Sequence, residues 1–188
     1  MPRVGVLSLQ GDVREHLRAL RLAGAETLGV KTPGQLDEID ALVIPGGEST
    51  TIGKLAARFG LLEPIRTATE DGMPVFGTCA GMIFLASAIT EGSQPLLGNL
   101  DVVVQRNAFG RQNESFEADL EVVGFDRPYH AVFIRAPWVE KLGAGVEVMA
   151  EVDGHPVLIR QEKILASSFH PELTEDSRIH HMFLDLID

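Results

Sequence analysis

Cys79 is the only cysteine among 188 residues, and its neighbours are arranged to make it reactive. It sits in Val75-Phe76-Gly77-Thr78-Cys79-Ala80-Gly81-Met82. An apolar strand runs into G-x-C-x-G and then into an apolar helix. This is the sulfur counterpart of a nucleophile elbow, where a sharp strand-to-helix turn pushes one side chain into the open. Glycines on both sides let neighbouring backbone crowd the turn. A helix opening at Ala80 would aim free N–H groups and partial positive charge at the sulfur, favouring thiolate. A second piece lies near the C-terminus: Ser168-Phe169-His170-Pro171-Glu172. Proline favours extended backbone at the residue before it, and residues i and i+2 of an extended segment project to one side. Glu172 is therefore expected beside the His170 imidazole, fixing its tautomer and raising its basicity. Taken singly, a lone cysteine is usually inert packing, and a His-x-Glu pair fits a surface turn. Together they suggest a hydrolase built on Cys79, His170 and Glu172.

Other segments could serve such a centre. Pro45-Gly46-Gly47-Glu48-Ser49-Thr50-Thr51 lies between a strand and a helix. Its glycines expose backbone N–H groups suited to an oxyanion or a carboxylate; no Gly-Lys-Ser/Thr follows, so it is not a phosphate-binding P-loop. Arg106-Asn107-Ala108-Phe109-Gly110-Arg111-Gln112 is a basic loop in an acidic chain, and Ile134-Arg135-Ala136-Pro137 puts another arginine just past a strand. A guanidinium holds a carboxylate with a planar fork. The other histidines (His16, His130, His155, His180 and His181) have no comparable neighbour, and the adjacent pair near the chain end reads as solvated. No cluster has metal-ligand spacing, so no metal is expected.

The elements that must position these residues alternate in the first half. Val4 to Leu9 reads as a buried strand. Asp12-Val13-Arg14-Glu15 has the form of a capping box opening a helix that carries Val13, Leu17 and Leu20 and stops at Gly24. Strands follow at Thr27 to Val30 and Ala41 to Ile44, with a Thr32-Pro33-Gly34 turn between them. A helical stretch covers about Ile52 to Asp71, broken near Gly60. Such alternation implies right-handed crossovers and a three-layer αβα, mainly parallel sheet with helices on both faces. Ligands then sit at the carboxyl ends of strands, where Gln10, Gly46, Gly47 and Cys79 would share one cleft. The second half is richer in strands: Val102 to Val104, Phe116 to Val123, His130 to Ile134, Val146 to Val152, Val157 to Arg160 and Ile164 to Ser168, with an Asp153-Gly154 hairpin turn. A last helix is expected over about Thr174 to Ile187.

Bulk properties bound the rest. The length suits one domain, 1–188, with a sizeable core. A net charge of −11 argues against general nucleic-acid binding and against anionic membranes. One cysteine fits a reducing compartment, no signal-peptide pattern opens the chain, and no stretch is long enough to span a bilayer; a cytoplasmic location is expected. A cysteine hydrolase or redox protein of related α/β fold, and a non-catalytic interaction subunit, both fit these numbers too.

The segments quoted above, with Gly5-Val6-Leu7 and Leu9-Gln10-Gly11 at the start and Phe169-His170-Pro171-Glu172-Leu173-Thr174 near the end, resemble the class I (triad) glutamine amidotransferases. More narrowly they resemble the family of glutaminase subunits of pyridoxal 5′-phosphate synthase. The Gly-Gly-Glu-Ser loop and the R-N-A-F-G-R-Q loop carry the narrower resemblance; the elbow and H-P-E alone would also fit a glutaminase serving another synthase. The resemblance implies a flavodoxin-like fold with extra antiparallel strands in the second half. It implies Cys79, His170 and Glu172 as the triad, and backbone N–H groups of Ala80 and of Gly46 and Gly47 as the oxyanion hole. It further implies glutamine binding by Gly47, Glu48, Ser49, Arg106, Ile134 and Arg135. No cofactor is implied. The partners implied are L-glutamine and a (βα)8-barrel synthase subunit in a hetero-oligomeric complex, and Gln10 is placed where docking of that subunit could complete the oxyanion hole.

Overall fold

A computed structural model of the chain describes residues 1–110 and 114–187. In chain order the elements are β1 (Arg3–Leu7), α1 (Val13–Leu22), β2 (Glu26–Val30), a 3-10 turn (Pro33–Glu38), β3 (Ala41–Ile44), α2 (Ser49–Arg58), α3 (Leu62–Glu70), β4 (Val75–Thr78) and α4 (Ala80–Leu85). Then come β5 (Ala86–Ile89), β6 (Leu100–Gln105), β7 (Ser115–Leu120), β8 (Tyr129–Ile134), β9 (Trp138–Leu142), β10 (Glu147–Val152), β11 (His155–Gln161) and β12 (Ile164–Ser167). A second 3-10 turn (Pro171–Leu173) and α5 (Arg178–Leu184) follow.

The central sheet has the order β10-β11-β12-β4-β3-β1-β2. The five strands from β12 to β2 run parallel; β11 and β10 add antiparallel at one edge. Side chains alternate between its two faces, as the pleat requires. Leu42, Ile44, Val75, Ile164 and Ala166 pack on one side with Ile52 and Ala56 of α2, Ile65 of α3 and Met82 of α4. Ala41, Val43, Phe76 and Leu165 pack on the other with Leu20 of α1 and Ile179 and Phe183 of α5. Helices therefore cover both faces, and the αβα layering with antiparallel additions matches the sequence-based expectation. The β7–β8 hairpin joins the α1/α5 side, and the small β5-β6-β9 sheet joins the other.

Several local expectations hold. The helical stretch breaks at Gly60, which has φ +70°. Asp153 and Gly154 both adopt positive φ between Val152 and His155, which pair across the hairpin. Others need correction. The capping box does not form at Asp12, whose side chain makes no cap hydrogen bond; one forms instead at Thr32 and Gln35 and turns Pro33–Glu38 into a 3-10 helix. The last helix is shorter than expected, because Asp176 and Arg178 pair with each other and Arg178 reaches the carbonyls of Arg127 and Pro128. Strands β5 and β9 were not anticipated.

The elbow shows why its glycines are needed. Cys79 has φ +49°, costly for a residue with a side chain. A Cβ on Gly77 would lie 2.6 Å from the Gly81 carbonyl carbon, and one on Gly81 would overlap the Ile44 carbonyl oxygen of β3. Helix α4 can therefore sit directly on the sheet. We predict that Gly81→Ala, which drives a methyl into that carbonyl, destabilises the protein by about 2 kcal/mol or more. Gly34→Ala meets open space and should change stability by less than about 0.5 kcal/mol. Urea unfolding of both variants checks this.

Candidate active site

Topology brings the two chemical motifs together. Strands β4 and β12 are parallel neighbours with Thr78 opposite Ser167, and the Cys79 N–H donates to the Ser167 carbonyl at 2.7 Å. Cys79 and His170 therefore leave the same edge of the sheet side by side. The thiol is close enough to the imidazole to help raise the His170 pKa. Cys79 is 7% exposed, and its Sγ lies 3.8 Å from the Ile134 carbonyl. His170 Nδ1 lies 2.7 Å from Glu172 Oε1 and 3.4 Å from Asp12 Oδ2.

The pairing arises differently from the extended segment expected. His170 is non-helical, with φ −108° and ψ 86°, but Pro171 starts a 3-10 turn, and the turn swings the Glu172 carboxylate back onto the ring. Asp12, expected to cap a helix, instead faces the same imidazole. Its carboxylate, His170 and Glu172 offer ligand atoms within 4.8 Å of one another; in this arrangement both acids face one protonatable nitrogen.

Electrostatics follow from this crowding. Burial pulls the His170 pKa down, but hydrogen bonds to Asp12, Cys79 and Glu172 outweigh it and raise the pKa. Burial pushes the Glu172 carboxyl up, while the His16 and His170 imidazoles and the His170 hydrogen bond hold it below the usual range. His16 is itself kept below its usual value by burial.

The Gly-Gly loop lies against this group. A Cβ on Gly46 would sit 2.6 Å from His170 Cε1, and one on Gly47 would overlap the Gln10 side chain. The Gly46 carbonyl accepts the Asp12 N–H at 2.9 Å, and Gln10 Oε1 accepts the Glu48 N–H at 2.8 Å. Gln10, Gly46 and Gly47 thus lie together beside His170, at the sheet edge that also carries Cys79. Ala80 opens α4 immediately after Cys79.

The remaining candidates form an adjoining cluster or stand apart. Glu48 caps α2: its carboxylate accepts from Thr50 N, Thr51 N and Thr51 Oγ1 at 3.1, 2.8 and 2.6 Å. Against slight burial, these bonds keep its pKa low. Ser49 Oγ, Thr50 Oγ1 and Arg106 Nη1 all donate to Gln94 Oε1, at 3.2, 3.3 and 3.1 Å. Gln94 carries no motif and was not anticipated; only the fold reveals it as the hub joining α2 to Arg106. Ile134 contributes its carbonyl beside Cys79. Arg135, exposed at the end of β8, has φ +43°. Phe109 anchors the Arg106 loop against Phe116, Phe133 and Trp138; Arg111 and Gln112 of that loop lie outside the described residues. Of the adjacent pair expected to be solvated, His181 is exposed but His180 is buried; it meets His16, also buried, with ring centroids 5.9 Å apart. No helix among the described residues is long and apolar enough to cross a membrane.

A solved structure described as a glutamine amidotransferase has the same fold, with TM-score 0.94 and 56% identity, covering 98% of each chain. A putative GMP synthase component from Thermoplasma acidophilum, 20% identical, shares the fold at TM-score 0.72 over 100% of this chain and 94% of its own. Fold and elbow thus define an amidotransferase-type α/β protein. The chain belongs to the SNO glutamine amidotransferase family, whose profile matches residues 6–188. Among curated relatives, the pyridoxal 5′-phosphate synthase subunit PdxT of Parafrankia sp. (strain EAN1pec) is 63% identical over 189 residues, covering 99% of this chain and 93% of the relative.

The buried histidines give a testable pH dependence. Burial first, and then the neighbouring His16, push the His180 pKa down to about 4. Unfolded, His180 titrates near 6.5. Between these values the unfolded chain binds the extra proton, so this contribution to stability is intact above pH 6.5 and is lost as pH falls toward 4. We expect about 2 kcal/mol of loss from this residue between pH 7 and pH 5. The loss should be absent in His180→Phe when urea unfolding is compared at the two pH values.

Proposed function

We propose that this chain hydrolyses L-glutamine to L-glutamate and ammonia and passes the ammonia to a synthase subunit making pyridoxal 5′-phosphate. The observation that carries this reading is a cysteine on a strained strand-to-helix turn, beside a histidine whose Nδ1 is held at 2.7 Å by a buried glutamate. Family membership and the name of a relative aligned over almost the whole chain support the substrate and the product pathway.

In this reading Cys79 is the nucleophile. His170 takes the thiol proton through Nε2, because Nδ1 is occupied by Glu172. The sulfur attacks the side-chain amide carbon of glutamine, and the proton returns to the departing nitrogen as ammonia leaves. Water, deprotonated by His170, then cleaves the glutamyl thioester to glutamate and restores the thiol. Backbone N–H groups of Ala80 and the Gly46–Gly47 loop stabilise the oxyanion; each such donor is worth about 10²–10³ in rate. Gly47, Glu48, Ser49, Arg106, Ile134 and Arg135 bind glutamine. An arginine suits its α-carboxylate, while the Glu48 carboxylate already serves the helix cap.

Released into water, ammonia would be protonated and lose its nucleophilicity, so a sheltered route to a partner is needed. The partner is a (βα)8-barrel synthase subunit in a hetero-oligomeric complex. Residues 1–188 act as one glutaminase domain, with no cofactor of their own. A reactive thiol suits the reducing cytoplasm. Control resides in the loop tie between Gln10 and Glu48 and between Asp12 and Gly46: docking that shifts residues 10–12 resets the peptide at Gly47 and completes the oxyanion hole.

Glutamate release tests this, with wild type beside variants and with or without the synthase subunit. Cys79→Ala should fall to background and His170→Ala by about 10³-fold or more. Wild type should be faster with the partner present. Equal rates with and without it would remove the control step, and activity that survives Cys79→Ala would remove the mechanism.

A further inference from the structure

His16 is a buried ionisable group that the proposed chemistry leaves unused. It lies on the inner face of α1 with no solvent exposure. Its Nε2 is 2.9 Å from Thr78 Oγ1 and 3.4 Å from Glu172 Oε2. Thr78, itself fully buried, immediately precedes Cys79. Glu172 uses its other oxygen, Oε1, to hold His170. Within the chain Oε2 makes no hydrogen bond of its own, an expensive state for a buried carboxylate oxygen. The imidazole edge at 3.4 Å faces that oxygen.

Electrostatics select the tautomer. With the proton on Nδ1, the Nε2 lone pair would point at the carboxylate. With the proton on Nε2, the N–H is directed at the Thr78 hydroxyl 2.9 Å away, with Glu172 Oε2 only 3.4 Å from the same nitrogen. The groups facing His16 are Glu172 and His170 from the segment after β12, Asp12 and Glu15 from its own helix and the preceding turn, and His180 from α5. Burial outweighs the three acids among them and keeps the ring neutral. His16 can therefore offer an N–H to Glu172 without setting a second positive charge beside His170.

We propose that His16 is a positioning residue of the triad: its Nε2–H bridges Thr78 and Glu172, locking the carboxylate against His170 and tying it to the residue before the nucleophile. The inference rests on the reading of Cys79, His170 and Glu172 as the triad. Without this N–H, Glu172 is a weaker partner for the His170 imidazolium, and less of Cys79 is thiolate at a given pH.

The test is the pH profile of Cys79 alkylation by iodoacetamide on the full chain, with folding followed by circular dichroism. His16→Leu should move the midpoint upward by about one pH unit and so lower the rate, at pH values below the midpoint, by up to about tenfold. His16→Gln, whose amide nitrogen extends about as far as Nε2, should stay within about threefold of wild type. In a Glu172→Gln background His16→Leu should change nothing further. If His16→Leu does not fold, His16→Asn, too short to reach Glu172, takes its place with the same expectation. A folded variant with the wild-type midpoint, or an equal shift in both backgrounds, overturns the proposal. His170→Gln separates the two readings. If it too leaves the profile unchanged, the triad reading fails and takes this inference with it. If it shifts the profile and His16→Leu does not, this inference alone fails.

Discussion

The pairing of β4 with β12 is the contact on which the candidate site depends. Two parallel strands in register, Thr78 opposite Ser167, end on the same sheet edge. The Cys79 N–H to Ser167 carbonyl bond fixes where the elbow leaves β4. Three residues past Ser167, the chain reaches His170. A slip of one residue would turn every side chain of one strand to the opposite face; here it would part the thiol from the imidazole. The strained φ at Cys79 is tolerated because α4 is wedged against β3 through Gly81, leaving the turn no room to relax.

Around this frame the charges are arranged so that one buried imidazole serves several acids. His170 meets Glu172, Asp12 and the thiol. His16 and His180 behind it stay neutral because burial penalises their charged forms. The site therefore concentrates positive charge at the ring that must exchange a proton with sulfur and keeps it out of the packed layer between α1, α5 and the sheet.

Much of this was legible in the chain. The alternation up to Thr78 yields β1 to β4 and their helices, because buried parallel strands leave short apolar runs between turn residues. G-x-C-x-G and H-P-E are local signals, and both fell where they were needed. Contacts created only by topology stayed hidden. Asp12 has the sequence of a helix cap, yet the fold sets its carboxylate beside an imidazole 158 residues further on. His16 and His180 look like ordinary polar residues until α1 and α5 meet on one face of the sheet. Gln94 lies in a loop with no periodicity, and only the approach of Arg106 to α2 gives it a role. Strands β5 and β9 were missed because they belong to a small satellite sheet whose pairing is irregular.

The most direct test of the central claim, that Cys79 meets glutamine through the His170–Glu172 pair, is covalent capture. The full chain with its synthase partner would be incubated with a diazoketone analogue of L-glutamine and its peptides mapped by mass spectrometry. The account predicts a single adduct on Cys79, suppressed by excess L-glutamine and strongly slowed in His170→Gln. An adduct on another residue, or labelling of Cys79 that is indifferent to both glutamine and His170, would contradict it.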